Sequence, residues 1–226
     1  MPSEDLAYVI GVEAGDGYVW KRSIPPPRYD EFFVGLMVKD RDFGEFFAIV
    51  LAKVLKREPP ILRLKDGRWV VEVASKTLYE LLKKPIDIER IRPYIEYCER
   101  CIATFLRGFF DSEGCVREDG VIDVINTDYQ LLVYVIYLLG KIGIETTQRE
   151  RRINKRAGRL FRDPRTGKLY KSRKNVYYIE IRLRSNLKFY KVVGFTMKLE
   201  RRRLEGYLRR RGLIPTTSPL HFSTYL

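Results

Sequence analysis

The sequence predicts an α+β fold made of two similar halves. A nine-residue pattern occurs twice, at residues 9–17 and 106–114, and each copy ends in an acidic residue followed by glycine. Corresponding positions, such as Gly11 and Gly108, are 97 residues apart throughout the pattern, so the copies are in register. Short strand-like runs separated by turn residues follow each copy, as expected of hairpins. These observations indicate a helix followed by a sheet in each half.

In the first half, turn and breaker residues separate the elements. Residues 25–27 are three prolines that stiffen a hairpin loop, Pro59 and Pro60 end a helix, and Asp66-Gly67 is a strong type I′ hairpin signal. We interpret residues 85–93, which begin and end with proline, as the linker between the halves. The first half is therefore predicted to contain a helix at 4–15, strands at 18–22 and 32–38, a helix at 43–56, strands at 61–65 and 68–74, and a helix at 78–83.

The second half repeats this order. We predict a helix ending near residue 112, strands at 115–118 and 121–125 around an Asp-Gly turn, an apolar helix at 128–142, and strands at 145–153 and 176–184. In the last strand, apolar and charged residues alternate, which predicts one core face and one charged face: Ile179, Ile181 and Leu183 against Glu180, Arg182 and Arg184. Between these last two strands, residues 149–174 contain twelve Lys and Arg against two acidic residues.

The two repeated segments, read as helices, each carry small residues at positions i, i+4 and i+8. These positions share one helix face: Ala7, Gly11 and Gly15 in the first copy, and Thr104, Gly108 and Ser112 in the second. Glycine inside a helix costs about 1 kcal/mol relative to alanine. Two helices that accept this cost on one face most simply do so to bring their backbones close together. We therefore expect the two helices to pack against each other.

This packing would bring two carboxylates together. Asp16 and Glu113 lie at the carboxyl ends of the two helices, where the helix dipole already concentrates negative charge. Such an arrangement is unfavourable unless divalent cations share the site, and it suits metal-assisted phosphodiester cleavage, in which an ion activates water and stabilises the leaving oxygen. The alternative is that Gly17 and Gly114 are ordinary helix C-caps and each acid is a solvated surface residue.

Composition restricts the class of partner. The chain has 226 residues, a net charge of +14 and a pI near 9.7, which favour a polyanionic partner. Anionic membranes and acidic proteins are alternatives, but no basic amphipathic helix stands out. We expect a soluble intracellular protein, because no apolar run could span a bilayer and residues 1–5 do not resemble a signal peptide. Abundant charged residues and scarce Asn and Gln are similar to thermophile composition.

Histidine and cysteine usage excludes several enzyme classes. His221 is the single histidine, which argues against histidine-based nucleases and most Ser-His or Cys-His hydrolases. Cys98 and Cys101 form a CxxC pair, but no second pair or nearby histidine completes a structural zinc site. We interpret these cysteines as buried or inter-domain thiols.

The two motifs resemble the LAGLIDADG family of homing endonucleases and their maturase relatives. The resemblance implies two αββαββα halves that form a saddle-shaped DNA-binding sheet, with residues 1–84 and 100–211 as the halves, 85–99 as the linker and 212–226 as a tail. It also implies that Asp16 and Glu113 are catalytic metal ligands, accompanied at the metal site by Gly15 and Ser112. The motif's sixth position, often acidic in the family, is Ala14 in one copy and Asp111 in the other, with Glu13 one place early.

Further catalytic residues follow from the same resemblance. Family members place a polar or basic residue near the start of the helix after the first hairpin of each half. That position corresponds to Lys39 in the first half and Asn126 in the second. Lys39 would stabilise charge that develops on the phosphate.

The implied function is that of a monomeric, pseudo-dimeric, intron-encoded endonuclease. It would cut both strands of a long asymmetric DNA site with Mg²⁺, with Mn²⁺ or Ca²⁺ as alternative occupants of the metal site. Two alternatives remain open on the same fold. One is a maturase that binds its host intron RNA, and the other is a DNA-binding regulator without catalysis.

Strands with a charged face fit the DNA major groove, where Arg and Lys contact guanine edges. Basic residues in the loops would hold phosphates. For residues 154–173 the alternative is a disordered basic segment that binds phosphates without sequence preference. The candidate DNA-binding residues are Trp20, Arg22, Arg28, Arg63, Lys65, Arg68, Arg117, Arg149, Arg151, Lys155, Lys168, Lys171, Arg173, Arg182 and Arg184.

Overall fold

Two four-stranded antiparallel sheets, one from each half, lie on helices in a computed structural model that describes residues 1–25, 29–147, 152–154, 160–163, 166–171 and 175–215. The first half contains α1 (Glu4–Ala14), β1 (Gly17–Ile24), β2 (Tyr29–Val38), α2 (Arg41–Leu55), β3 (Arg63–Lys65), β4 (Arg68–Ala74), α3 (Lys76–Leu82) and α4 (Ile88–Ile95). Its sheet has the strand order β1-β2-β4-β3. The predicted order of elements in this half is confirmed.

The second half has the same order in its first five elements. It contains α5 (Glu99–Glu113), β5 (Gly114–Val116), β6 (Ile122–Asn126), α6 (Tyr129–Lys141), β7 (Arg152–Asn154), β8 (Leu160–Arg162), β9 (Leu169–Lys171), β10 (Val176–Glu180), a 3-10 turn (Leu183–Ser185), α7 (Asn186–Val192) and α8 (Lys198–Arg210). Its sheet has the order β5-β6-β10-β7, in which β10 corresponds to β4 of the first half, and β8 and β9 form a separate hairpin. The α+β fold with two related halves is thus confirmed.

Helices α1 and α5 pack directly against each other through their glycines. An added Cβ at Gly11 would lie 2.9 Å from the amide nitrogen of Phe109, and still closer to the carbonyl oxygen of Phe105. At Gly108 it would meet the Tyr8 carbonyl oxygen and lie 3.1 Å from the Val12 nitrogen. Only glycine permits this backbone approach, so the predicted interface between the two motifs is confirmed.

The strand registers show how the halves correspond. Gly17 at the start of β1 pairs with Leu36, and Gly114 at the start of β5 pairs with Val124. Leu36 lies four residues before Asp40 and Val124 four residues before Asp128, the N-caps of α2 and α6. Each cap carboxylate accepts a backbone N–H of the first helical turn. Leu36 and Val124 are therefore equivalent positions.

The expected linker contains a helix. In α4, Ile91 and Ile95 are fully buried, and Asp87 caps the amino end. Pro93 lies inside this short helix, in its last turn. The segment between the two prolines was predicted only as the linker between the halves; in α4, the burial of one apolar face outweighs the hydrogen bond that Pro93 cannot donate.

The last predicted strand ends earlier than expected. β10 stops at Glu180, and Ile181 adds a single bridge to Thr146. The amide of Ser185 then donates to the carbonyl of Arg182, 2.7 Å away, and closes a 3-10 turn. Leu183 is consequently 47% exposed and lies outside the predicted core face, and Arg184 lies in the turn.

In the part of the chain described, no helix is long and apolar enough to cross a membrane. The β8–β9 hairpin lies within the basic segment 149–174, and the backbone of Phe161 pairs with that of Tyr170. His221 lies outside the described residues.

Candidate functional site

Asp16 and Glu113 meet where α1 and α5 end. Burial and the nearby charge of Asp16 together raise the pKa of Glu113 to about 7. Asn126 Nδ2 donates to Glu113 Oε1 at 2.9 Å, which opposes this rise because it stabilises the carboxylate. Asp16 is accessible to solvent, but its partial burial also raises its pKa. The positive charges of Lys84 and Arg68 oppose this rise. The two carboxylates therefore share one electrostatic site, as the repeat predicts.

Lys84 is a third member of this site that sequence reasoning missed. It follows α3, and its Nζ donates to the Gly15 carbonyl at 3.1 Å and to the Gly17 carbonyl. Burial lowers the pKa of Lys84, while the charges of Glu13, Glu113 and Asp16 oppose that shift. No motif or periodicity marks a lysine at the start of the expected linker. Only the folded chain brings it to the acids.

Glu13 is fully buried behind the site, and among the described residues neither of its carboxylate oxygens has a hydrogen-bond partner. Burial raises its pKa well above the usual range, and the charge of Lys84 opposes the shift. A Cβ at Gly17 would collide with the Glu13 carboxylate. Glycine at the ninth position of this motif therefore makes room for the buried acid.

Asp111, the acid at the sixth position of the second motif, has a structural role. It is buried, accepts a hydrogen bond from Tyr8 Oη at 2.8 Å, and accepts others from the amides of Thr196 at 2.8 Å and Met197 at 3.3 Å. Burial raises its pKa to about 6. These contacts tie α5 to α1 and to the segment that precedes α8.

Lys39 and Asn126 are not equivalent positions, contrary to expectation. Asp40 and Asp128 are the equivalent N-caps, so Thr127 corresponds to Lys39, and Asn126 corresponds to Val38. The expected alignment was one residue off because the first hairpin of each half has a different length. Asn126 nevertheless contacts Glu113, whereas Lys39 is exposed just before α2.

Gly15 and Ser112 also lie at the helix interface. An added Cβ at Gly15 would lie 2.6 Å from the Ser112 Cβ. The Ser112 hydroxyl faces the carbonyls of Gly108 at 3.2 Å and Val12 at 3.4 Å. The Ser112 side chain therefore serves helix packing, and the Gly15 carbonyl already accepts Lys84.

The donors at this site suit a hydrated divalent cation. Among the described residues, no group of three or more His, Cys, Asp and Glu could hold a metal. The site offers two carboxylates and the Gly15 carbonyl, all hard oxygen donors. Mg²⁺ commonly binds through one or two carboxylates and completes its shell with water and substrate phosphates, so these residues fit such an ion.

The outer face of the first sheet carries aromatic and basic residues. The rings of Trp20 and Phe33 stack at 4.4 Å. Glu72 accepts hydrogen bonds from Trp20 Nε1, from Tyr18 Oη at 3.2 Å and from Arg63 at 3.4 Å. Arg22, another candidate on this sheet, pairs with Glu31. Lys65 and Arg68 are exposed at the β3–β4 turn, and Arg28 lies outside the described residues.

The second sheet repeats part of this arrangement. Glu180 pairs with Asp123, as Glu72 pairs with Gly35, so the register makes the two glutamates equivalent. Glu72 accepts from Trp20 and Glu180 accepts from Arg117 at 3.1 Å, and both donors lie three residues after the motif glycine. This equivalence escaped sequence reasoning because the connections between strands differ in length.

The remaining basic candidates are only partly described. Arg182 Nε donates to the Thr146 carbonyl at 3.1 Å, and Arg184 pairs with Glu145. Arg184 was expected on a strand face but lies in the 3-10 turn, because the sheet ends before it. Lys168 and Lys171 are exposed at the β8–β9 hairpin. The candidates that lie outside the described residues are Arg149, Arg151, Lys155 and Arg173.

A family profile described as "LAGLIDADG-like domain" matches residues 100–194. Two uncharacterised proteins of Methanocaldococcus jannaschii are similar in sequence. MJ0398 is 29% identical over 212 residues, 92% of this chain and 72% of the relative, and MJ0314 is 32% identical over 155 residues, 64% of this chain and 56% of the relative.

Several solved structures share the fold. I-DmoI in complex with DNA and Ca aligns with a TM-score of 0.63 at 21% identity, over 90% of this chain and 97% of that one. I-DmoI in complex with DNA and Mn aligns with a TM-score of 0.61 at 21% identity, over 84% of this chain and 96% of that chain. The homing endonuclease I-WcaI, bound to its DNA recognition sequence, aligns with a TM-score of 0.54 at 18% identity, over 89% of this chain and 86% of that chain. Residues 100–194 therefore match a LAGLIDADG-like domain, and the chain has the fold of single-chain LAGLIDADG homing endonucleases.

Proposed function

We propose that this chain is a sequence-specific endonuclease that cuts both strands of duplex DNA with a divalent metal, Mg²⁺ in the first instance. The observation that carries the proposal is the pairing of Asp16 and Glu113 at the ends of α1 and α5. The glycine-mediated packing of these helices fixes the separation of the carboxylates. The similarity to I-DmoI, solved with DNA and with Mn, Mg or Ca, supports the same assignment.

Asp16 and Glu113 would hold the metal, together with the Gly15 carbonyl. When bound, the ion would supply a polarised water and charge stabilisation at the leaving oxygen. Asn126 fixes the orientation of Glu113 and favours its ionised form. Lys84 balances the negative charge of the acid cluster, and Lys39, exposed before α2, is positioned to meet a phosphate.

Each sheet would read one half of the target. Trp20 and Arg117 occupy equivalent positions but differ in chemistry, so the two half-sites should differ in sequence. A single chain that carries both sheets would act as a monomer on a long asymmetric site. An intracellular location follows from this substrate. Intron-encoded origin, thermophily and binding of intron RNA remain predictions.

A two-stage selection tests the proposal. Duplexes that bind are first enriched from a randomised library in Ca²⁺, and Mg²⁺ or Mn²⁺ is then added and the new ends are sequenced. We expect ends at one fixed position within the enriched sequence. Enrichment without new ends, in every metal tested, would instead support the alternative of a DNA-binding regulator.

A further inference from the structure

Cys98 and Cys101 form a close dithiol at the start of α5. Their sulfur atoms are 2.8 Å apart. Cys98 is the N-cap of α5, and its Sγ accepts a hydrogen bond from the Cys101 amide at 3.1 Å. A disulfide needs about 2.05 Å between the sulfurs, so a side-chain shift of less than about 1 Å would suffice to form one.

The two thiols differ in exposure, and this sets an order of reaction. Cys98 is partly exposed, whereas Cys101 is 1% exposed. Burial and the neighbouring Cys98 raise the pKa of Cys101 to about 12, so Cys101 is a thiol at neutral pH. The hydrogen bond from the Cys101 amide holds Cys98 Sγ at the amino end of α5, beside Cys101. An external reagent therefore meets Cys98 first, with Cys101 directly behind it.

We propose that Cys98 and Cys101 are a redox-active pair, which a small disulfide such as glutathione disulfide converts into an internal disulfide. The Cys98 thiolate attacks one sulfur of the oxidant, forms a mixed disulfide and releases one glutathione thiolate. Cys101 then gives up its proton and attacks Cys98 Sγ, which expels the second thiolate. Two protein thiols are oxidised, one glutathione disulfide is reduced to two glutathiones, and the thiol protons pass to the released thiolates.

Metal binding does not explain this pair. Two thiolates leave a tetrahedral zinc ion two ligands short, and in the described ranges no group of three metal-binding side chains occurs. The pair also lies at the opposite end of α5 from Glu113. Fourteen residues at 1.5 Å rise separate Glu99 from Glu113, or about 20 Å, so oxidation should leave the acid site unchanged.

The test is thiol counting by mass spectrometry of the intact full-length chain. The protein is equilibrated with glutathione and glutathione disulfide, quenched with acid, and alkylated under denaturing conditions. The reduced chain has three free cysteines and should take three alkyl groups. After oxidation we expect one alkyl group, at Cys115, no glutathione on Cys98 or Cys101, and, before alkylation, a loss of two hydrogens at that pair.

Two variants separate the possible outcomes. Reduced Cys115→Ser should take two alkyl groups and oxidised Cys115→Ser should take none, which assigns the disulfide to Cys98 and Cys101. Cys101→Ser should instead accumulate glutathione at Cys98, because the resolving thiol is missing. Three alkyl groups on the oxidised wild-type chain, or stable glutathione at Cys98 in the wild type, would overturn the proposal. Either result leaves the proposed DNA cleavage untouched.

Discussion

Asn126 Nδ2 lies 2.9 Å from Glu113 Oε1, at the point where β6 ends beside the end of α5. The Asn126 Oδ1 atom accepts the amide of Asp128 at 2.8 Å, so the same side chain also contacts the N-cap of α6. This places the amide between the helix that carries the acid and the next helix of the half. The orientation of Glu113 therefore depends on the sheet as well as on the α1–α5 packing.

The raised pKa of Glu113 predicts how stability without metal depends on pH. The acid has a pKa of about 7 in the folded chain against an ordinary value of 4.5, so folding favours its protonated form. The contribution of Glu113 to metal-free stability should be greatest at a pH below the unfolded pKa and should be lost as the pH rises through about 7. Glu113→Gln should flatten this dependence in thermal unfolding with a chelator present.

Glu145→Gln provides the matched control for that measurement. The Arg184 guanidinium beside Glu145 holds the pKa of that carboxyl below the usual range. The contribution of Glu145 to the stability of the folded chain therefore has the opposite sign and is lost as the pH falls. A wild-type chain whose stability rises between pH 4.5 and about 7, with no change in Glu113→Gln, would contradict the assigned environment.

Alanine at the motif glycines should destabilise the chain. A Cβ at Gly11 or Gly108 meets backbone of the facing helix, so Gly11→Ala and Gly108→Ala should each cost about 1 to 3 kcal/mol or more. The same substitution at Gly140 in α6 meets nothing within 4 Å and should stabilise by about 0.5 to 1 kcal/mol. Denaturant unfolding compares the three, and equal effects would show that α1 and α5 are not in backbone contact.

Removal of the Lys84 charge should impair cleavage more than binding. Lys84→Met leaves Glu13, Asp16 and Glu113 without their shared cation, so we expect a cleavage rate at least about tenfold lower with little change in DNA affinity. Lys83→Met is the matched control, since Lys83 pairs with Glu80 outside the acid cluster. Equal rates for both variants would remove Lys84 from the site.

Strand and loop basic residues should have separable effects on DNA binding. Arg117→Ala should cost about 1 to 3 kcal/mol and relax preference at one or two base pairs. Charge reversal at Lys168 and Lys171, exposed on the β8–β9 hairpin, should weaken binding to matched and scrambled duplexes alike and reduce the salt dependence. Binding titrations against single-base target variants measure both, and a uniform loss from Arg117→Ala would contradict a reading role.

The sequence was sufficient to predict the helix interface and the acid pair, because both depend on two motifs whose equivalent positions are 97 residues apart. It was insufficient for Lys84, since burial beside Gly15 and Gly17 depends on how α3 ends against α1. The Lys39 and Asn126 alignment failed because hairpins of unequal length shift the register. The early end of β10 at Glu180 reflects a tertiary turn that alternation alone does not reveal.

Double-strand cleavage by acid-neutralised variants tests whether Asp16 and Glu113 hold a catalytic metal. Asp16→Asn and Glu113→Gln keep the shape of each side chain and remove the charge that would hold the metal. With a selected target and Mg²⁺ or Mn²⁺, we expect that neither variant cuts both strands while each binds the target within about tenfold of wild type. Full cleavage by either variant would contradict the account.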